Sequence, residues 1–177
     1  TNDAPVIGLI DNQAIDEDTS LVMPLFATDI DGDLLEFSAS SDGNSNVFVE
    51  GTTLTVSPDE NFNGSIEVTV NVDDGLAVDS TTFTLIVNPV NDAPQLGDLE
   101  DASIDEDGSY ELELSGSDID EDILEFSAST DGNGDASVDG STLTVTPDLN
   151  YNGNITILVN VEDSGGLSDS DSFILTI

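Results

Sequence analysis

The sequence predicts an all-β protein built as two tandem seven-stranded Greek-key β-sandwich domains. Three observations carry that expectation. Apolar residues alternate with polar ones at period two, the signature of half-buried strands. The alternating runs are separated by Asp-Gly, Asn-Gly and Pro-Asp turn signals at the short spacing of a sandwich. The whole pattern then recurs 89 residues later, as Asn2-Asp3-Ala4-Pro5 and again as Asn91-Asp92-Ala93-Pro94. A fixed period of this kind marks an array of like units.

Taken in order, the first copy opens with a strand from Val6 to Ile10, followed by a run from Leu21 to Phe26. Pro24 lies inside that second run and has no amide donor, which places the strand at a sheet edge or a bulge. Leu35, Phe37 and Ala39 then alternate with Glu36 and Ser38, and a short run follows from Val47 to Val49. Leu54 and Val56 alternate with Thr53 and Thr55. Ile66, Val68, Val70 and Val72 have Glu67, Thr69 and Asn71 between them, and Phe83, Leu85 and Val87 alternate with Thr82 and Thr84. The second copy repeats the scheme, with Ile155, Ile157, Val159 and Val161 as its longest run. No segment has the 3.6-residue period of a helix. The predicted domains are residues 1–90 and 91–177. Thr1 leads straight into the first repeated motif and Ile177 stands where another linker would begin, so the chain is expected to be a piece of a longer array.

Composition narrows the chemistry sharply. The 177 residues include 39 Asp and Glu and no Lys, Arg, His or Cys, for a formal charge of −39. Salt bridges between side chains are impossible, and nothing can neutralise a phosphate, which excludes nucleic acid and direct membrane binding as partners. The usual catalytic base, the Schiff-base amine, the thiolate and the commonest zinc ligands are all missing. Carboxylate, hydroxyl and amide oxygens are the chemistry that remains.

Most of the carboxylates fall in loops, and they recur in register, as Asp29-Ile30-Asp31 against Asp118-Ile119-Asp120. Like charges gathered at one end of a sandwich repel unless a cation lies among them. Calcium suits such a set, being a hard ion that takes six to eight oxygen ligands and needs neither His nor Cys. A solvated, salt-adapted acidic surface is the plainer alternative, but it does not account for the repeated spacing.

The ordered motifs resemble those of bacterial cadherin-like tandem repeats and of the animal cadherins. Asn88-Pro89-Val90-Asn91-Asp92-Ala93-Pro94 is similar to the linker of that family, Asp16-Glu17-Asp18 to its x-Glu-x motif, Asp29-Ile30-Asp31 to Asp-x-Asp, and Val72-Asp73-Asp74-Gly75 to Ala-x-Asp-x-Gly. The family's Asp-Arg-Glu motif is absent, and Pro58-Asp59-Glu60 and Pro147-Asp148-Leu149 stand in its place. The resemblance implies a Ca2+ cage at the junction of the copies, with Glu17 and Asp59 from the first, Asn91 and Asp92 from the linker, and Asp118, Asp120 and Asp163 from the second. Asp3, Asp29, Asp31 and Asp74 would form half of a preceding cage, and Glu106 and Asp148 half of a following one. It also implies an extracellular or cell-surface module of a large bacterial protein, rigidified by calcium, that serves adhesion or spacing beside neighbouring repeats of its parent chain. Homophilic self-association, dependent on calcium, follows from the same resemblance.

Other features carry less. Asp131-Gly132-Asn133-Gly134-Asp135 and Asp29, Asp31 and Asp33 echo a helix-flanked calcium loop, but Ala136 and Leu34 occupy the position that needs glycine. The first of these segments reads as a hairpin turn. Phe62 and Tyr151 read as plugs at one end of each core. A calcium-dependent carbohydrate-binding module that takes a polysaccharide is the alternative function, although there is no Trp to stack on sugar rings. A glycoside hydrolase needs two carboxylates at a set separation in a cleft, and nothing marks such a pair, so no enzyme activity is expected.

Overall fold

A computed structural model describes the whole chain, residues 1–177. The chain divides into two compact units, Thr1–Val90 and Asn91–Ile177. All of the regular structure is β. Unit 1 contains β1 (Val6–Ile7), β2 (Gln13–Asp16), β3 (Leu21–Pro24), β4 (Ala27–Thr28), β5 (Glu36–Ser41), β6 (Ser45–Glu50), β7 (Thr53–Pro58), β8 (Gly64–Asp73) and β9 (Val78–Asn88). One sheet has the order β2-β9-β8-β5 and the other β3-β7-β6, with a separate β1-β4 ladder.

Unit 2 repeats this as β10 (Gln95–Leu96), β11 (Ala102–Ser103), β12 (Tyr110–Glu113), β13 (Gly116–Ser117), β14 (Glu125–Thr130), β15 (Gly134–Asp139), β16 (Thr142–Pro147), β17 (Asn154–Glu162) and β18 (Ser168–Thr176). Its sheets are β11-β18-β17-β14, β12-β16-β15 and the pair β10-β13.

Seven strand runs were expected in each copy and nine segments form: β4 carries on from the second run after a break, and β2 lies beyond the expected opening run of Val6 to Ile10. The run from Leu21 to Phe26 changes partner after Leu25. Leu25 N–H still donates to Thr52 O (2.7 Å) in the β3–β7 register, and Phe26 O accepts from Gly8 N–H (2.7 Å) before β4 pairs with β1. As Pro24 required, β3 is an edge strand. The opening strand also switches sheets, since β1 pairs with β4 while β2 lies parallel to β9. Gln13–Asp16 has one large apolar residue, Ile15, so its pairing with β9 was not legible in the pattern. The Asp131 segment is a second correction. It joins β14 of one sheet to β15 of the other, so it turns a corner between sheets and is not a hairpin. Asp131 Oδ2 accepts from Thr156 N–H on β17 (3.1 Å) and holds that corner, as Asp42 Oδ1 does with Glu67 N–H (3.0 Å).

Each core fills the space between two sheets. In unit 1, Leu54 and Val56 meet Ile66, Val68, Val70, Val72, Phe83, Leu85 and Val87. In unit 2, Leu143 and Val145 meet Ile155, Ile157, Val159, Val161, Phe173 and Leu175. Each such side chain contributes about 1.5–3 kcal/mol on leaving water. Phe62 and Tyr151 pack against these cores as expected. Each ring folds over a glycine: a Cβ on Gly153 would lie 2.8 Å from Tyr151 Oη, and φ there is 148°.

Candidate metal centre

The strand ends bring the same acidic constellation together at the start of each unit. In unit 1, the connection after β4 carries Asp29 and Asp31, the connection between β8 and β9 carries Asp74, and the leading segment supplies Asn2 and Asp3. Asp29 Oδ1 collects three backbone N–H groups, from Asp31 (2.9 Å), Gly32 (2.8 Å) and Asp33 (3.2 Å). Asp31 Oδ2 accepts from Asp3 N–H at 2.7 Å. Asp74 Oδ2 accepts from the Asn2 amide at 3.0 Å, while its Oδ1 accepts from Leu76 and Ala77 N–H, both at 2.7 Å.

Unit 2 reproduces the pattern. Asp118 Oδ1 accepts from Asp120 N–H (2.9 Å) and Asp122 N–H (3.2 Å), Asp120 Oδ2 accepts from Asp92 N–H (2.8 Å), and Asp163 Oδ2 accepts from the Asn91 amide (2.9 Å). Asp163 is buried, and its Oδ1 accepts from Leu167 N–H at 2.8 Å. Asn91 rests on bare backbone, since a Cβ on Gly165 would come within 2.4 Å of Asn91 Oδ1.

These loops bend carboxylates inward without any basic residue to meet them. One oxygen of Asp29 is fully satisfied by backbone, but the other, Oδ2, is buried and accepts no hydrogen bond from the protein; Asp118 Oδ2 is the same. An orphaned buried carboxylate oxygen is costly unless a cation meets it. Oxygens of Asp29, Asp31 and Asp33 come within 4.8 Å of one another. The donor set is entirely oxygen, which suits a hard cation such as calcium and not zinc. Asp74 is held below its ordinary value of 3.8 by the Asn2 amide and then by Leu76 and Ala77 N–H. At Asp163 burial works against the charged form, but the Asn91 amide and the Leu167, Gly166 and Gly165 N–H groups outweigh it and the value is again lowered. Both are anions at neutral pH.

The remaining expected residues lie at the other end of each unit. Glu17 is buried, its carboxylate accepting from Val90 N–H and from the Asn63 amide (3.4 Å). Asp59 is exposed on the turn after β7, a turn tied down by Asn61 N–H donating to Asp18 Oδ1 (2.9 Å). Glu106 is exposed, unlike Glu17, and Asp148 is exposed at the start of the matching turn, where Asn150 N–H donates to Asp107 Oδ1 (3.0 Å). Asp33 was set aside in the sequence for want of a glycine after it, yet it stands in the acidic group. Asp122, its counterpart, accepts from Ser164 Oγ (2.8 Å). The alternate spacing of Asp29, Asp31 and Asp33 was the signal that could have kept it in.

A family model described as Bacterial Ig domain matches the chain twice, over residues 2–87 and 91–176. No curated protein matches it in sequence. Among solved structures, human protocadherin-24 EC1-2 is similar with a TM-score of 0.63 at 16% identity, covering 99% of this chain and 98% of that one. Drosophila N-cadherin EC1-4 is similar with a TM-score of 0.60 at 16% identity, covering 99% of this chain and 49% of that one. The human desmocollin-1 ectodomain gives 0.53 at 13% identity, covering 97% and 40%. At these identities the likeness is one of fold.

Proposed function

The chain is a tandem pair belonging to the bacterial Ig domain family, and we propose that it binds calcium and serves as an extracellular adhesion or spacer module. The observation that carries this reading is the orphaned Oδ2 repeated at Asp29 and Asp118, each with its other oxygen held by backbone N–H groups, in a protein with no basic side chain. In the proposed arrangement Asn91, Asp92, Asp118, Asp120 and Asp163 of unit 2 supply oxygens to calcium, joined by Glu17 and Asp59 of unit 1. Asp3, Asp29, Asp31 and Asp74 form an equivalent half set for a preceding repeat, and Glu106 and Asp148 a half set for a following one.

The chain's own groups prepare these sites. Backbone N–H groups hold one oxygen of Asp29 and of Asp118 and leave the other for the ion, while Asn2 and Asn91 brace Asp74 and Asp163 beside them. Without a cation the gathered charges repel and loosen the linker; with calcium they become ligands and the linker stiffens. Millimolar calcium and sites of about 10–100 µM affinity give roughly 1.4–2.7 kcal/mol of stabilisation per site.

Calorimetric titration with calcium chloride, paired with X-ray scattering in chelator and in calcium, tests the proposal. Stoichiometric heat and a longer, better-defined scattering profile are expected, with both lost in Asp118→Ala. A titration without heat and an identical profile in the two conditions would sink it.

A further inference from the structure

The two units repeat the same core pattern, each in its own core, but differ on the outer face of the smaller sheet. In unit 1 burial alternates without a break from Leu21 to Thr28, so Val22, Pro24 and Phe26 all point outward. The register sets Val6 beside Thr28, and puts Val22 and Phe48 on either side of Thr55. Val6, Val22, Phe26 and Phe48 are 61%, 62%, 72% and 61% exposed. The positions 89 residues on are Gln95, Glu111, Ser115 and Ser137, and Glu113 replaces Pro24. Unit 2 nevertheless forms the same ladder, with Glu111 opposite Thr144 and Thr144 opposite Ser137. The fold therefore does not require large apolar side chains on this surface.

Charge indicates what covers it. Within a chain of −39, Val6, Val22, Pro24, Phe26 and Phe48 share this face with one carboxylate, Glu50, which points outward two residues beyond Phe48 at the end of β6. A cationic partner is drawn to the acidic loops and to the Glu-bearing face of unit 2, and gains little electrostatic here. For two copies of the chain this surface lets apolar side chains meet with only Glu50 of each copy to oppose them.

We propose that the outer face of β3, β6 and β7 in unit 1, extended by β1 and β4, is a self-association surface that packs against the same face of a second copy about a two-fold axis. At strand spacings of about 4.8 Å and rises of about 3.3 Å per residue the face covers about 400 Å², so a pair buries about 800 Å² in total. That falls below about 1,200 Å², where stable specific interfaces begin, so the dimer is weak and its equilibrium concentration-dependent. The association needs no calcium and stands apart from the metal reading.

Sedimentation equilibrium in chelator tests it, at about 0.5 M sodium chloride, where screening shortens to about 4–5 Å. The wild-type mass is expected to climb from monomer toward dimer as the protein approaches about millimolar, the regime of a weak complex. The variant V22E/F48S installs residues that unit 2 already carries at these positions. It is expected to stay monomeric with a melting temperature close to wild type. The reverse set, E111V/E113P/S115F/S137F, gives unit 2 the side chains of this face on β12, β15 and the segment after β12, and is expected to drive the mass beyond a dimer. A spin label on Thr55→Cys reads the face directly, with broadening between copies expected. Wild-type protein that remains monomeric throughout would overturn the proposal and leave the face to a partner of another kind. Association undiminished in V22E/F48S, or a dimer without broadening at position 55, would overturn it equally.

Discussion

A carboxylate in this chain has no basic side chain to meet, and neutral N–H groups take that part. Asp29 gathers three of them on one oxygen, and Asp74 two plus the Asn2 amide. Because Asp74 and Asp163 titrate below the ordinary 3.8, their contribution is complete above the unfolded value and is lost as pH falls through the lower folded one. Acidification below about pH 4 breaks these bonds. The melting temperature is therefore expected to decline on the acid side. Calorimetry across that range checks it, and Asp163→Asn should flatten the decline. A second residue-scale expectation concerns Glu121, which has φ 62° where the first copy has Gly32 at 78°. Left-handed backbone costs a side chain about 1 kcal/mol, so Glu121→Gly should raise the melting temperature by a few degrees. The repeat alignment exposes that mismatch, but only the backbone angle gives it a cost.

At the scale of elements, the strand that switches sheets is the vulnerable one, since β1 and β10 are each only two residues long. A carboxylate from the last long strand pins each of them: Ile7 N–H donates to Asp79 Oδ2 and Leu96 N–H to Asp169 Oδ2, both at 2.9 Å. On the far side of the switch, Asn12 Oδ1 accepts from Thr84 N–H (3.0 Å) and Asp101 Oδ1 from Ile174 N–H (2.7 Å). Removing such an acceptor leaves a part-buried N–H unpaired, at a cost of roughly 1–3 kcal/mol. Asp79→Ala should lower stability by that amount and speed hydrogen exchange at Ile7 and Gly8 before the rest of unit 1, whereas Asp79→Asn keeps an oxygen in place and should lose less. Asp79 and Asp169 stand in the inward phase of their strands, in step with Phe83 and Leu85 and with Phe173 and Leu175, but beyond the apolar run, where the sequence pattern gives no sign of a buried partner. Glu17 was noticed, and its burial against Val90 N–H joins the end of unit 1 to its first turn.

For the molecule as a whole, −39 charges without a single basic residue set the response to ions. Raising sodium chloride from about 10 mM to about 0.5 M shortens the screening length from about 30 Å to under about 10 Å. The melting temperature should rise by several degrees with no change in heat-capacity increment. Specific calcium sites should give a comparable rise at millimolar calcium, at an ionic strength where sodium gives little. A calcium response no larger than that of sodium at matched ionic strength would reduce the acidic loops to a solvated surface.

The sequence by itself determined the β class, the two-fold repetition and most of the acidic loops, because period-two alternation and a fixed 89-residue offset are local signals that need no partner to be read. Pro24 foretold an edge strand for the same reason: a missing N–H is a property of one residue. Tertiary structure alone decided the rest. The parallel seat of β2 on β9 and the corner at Asp131 depend on which strand lies alongside, and loop closure over dozens of residues settles that. Only the folded backbone could turn one oxygen of Asp29 and Asp118 toward N–H groups and leave the other buried and orphaned. The outer face of unit 1 is a surface for the same reason: Val22 and Phe48 lie 26 positions apart in the chain, and meet across Thr55 only because the register of β3, β7 and β6 sets them in one row.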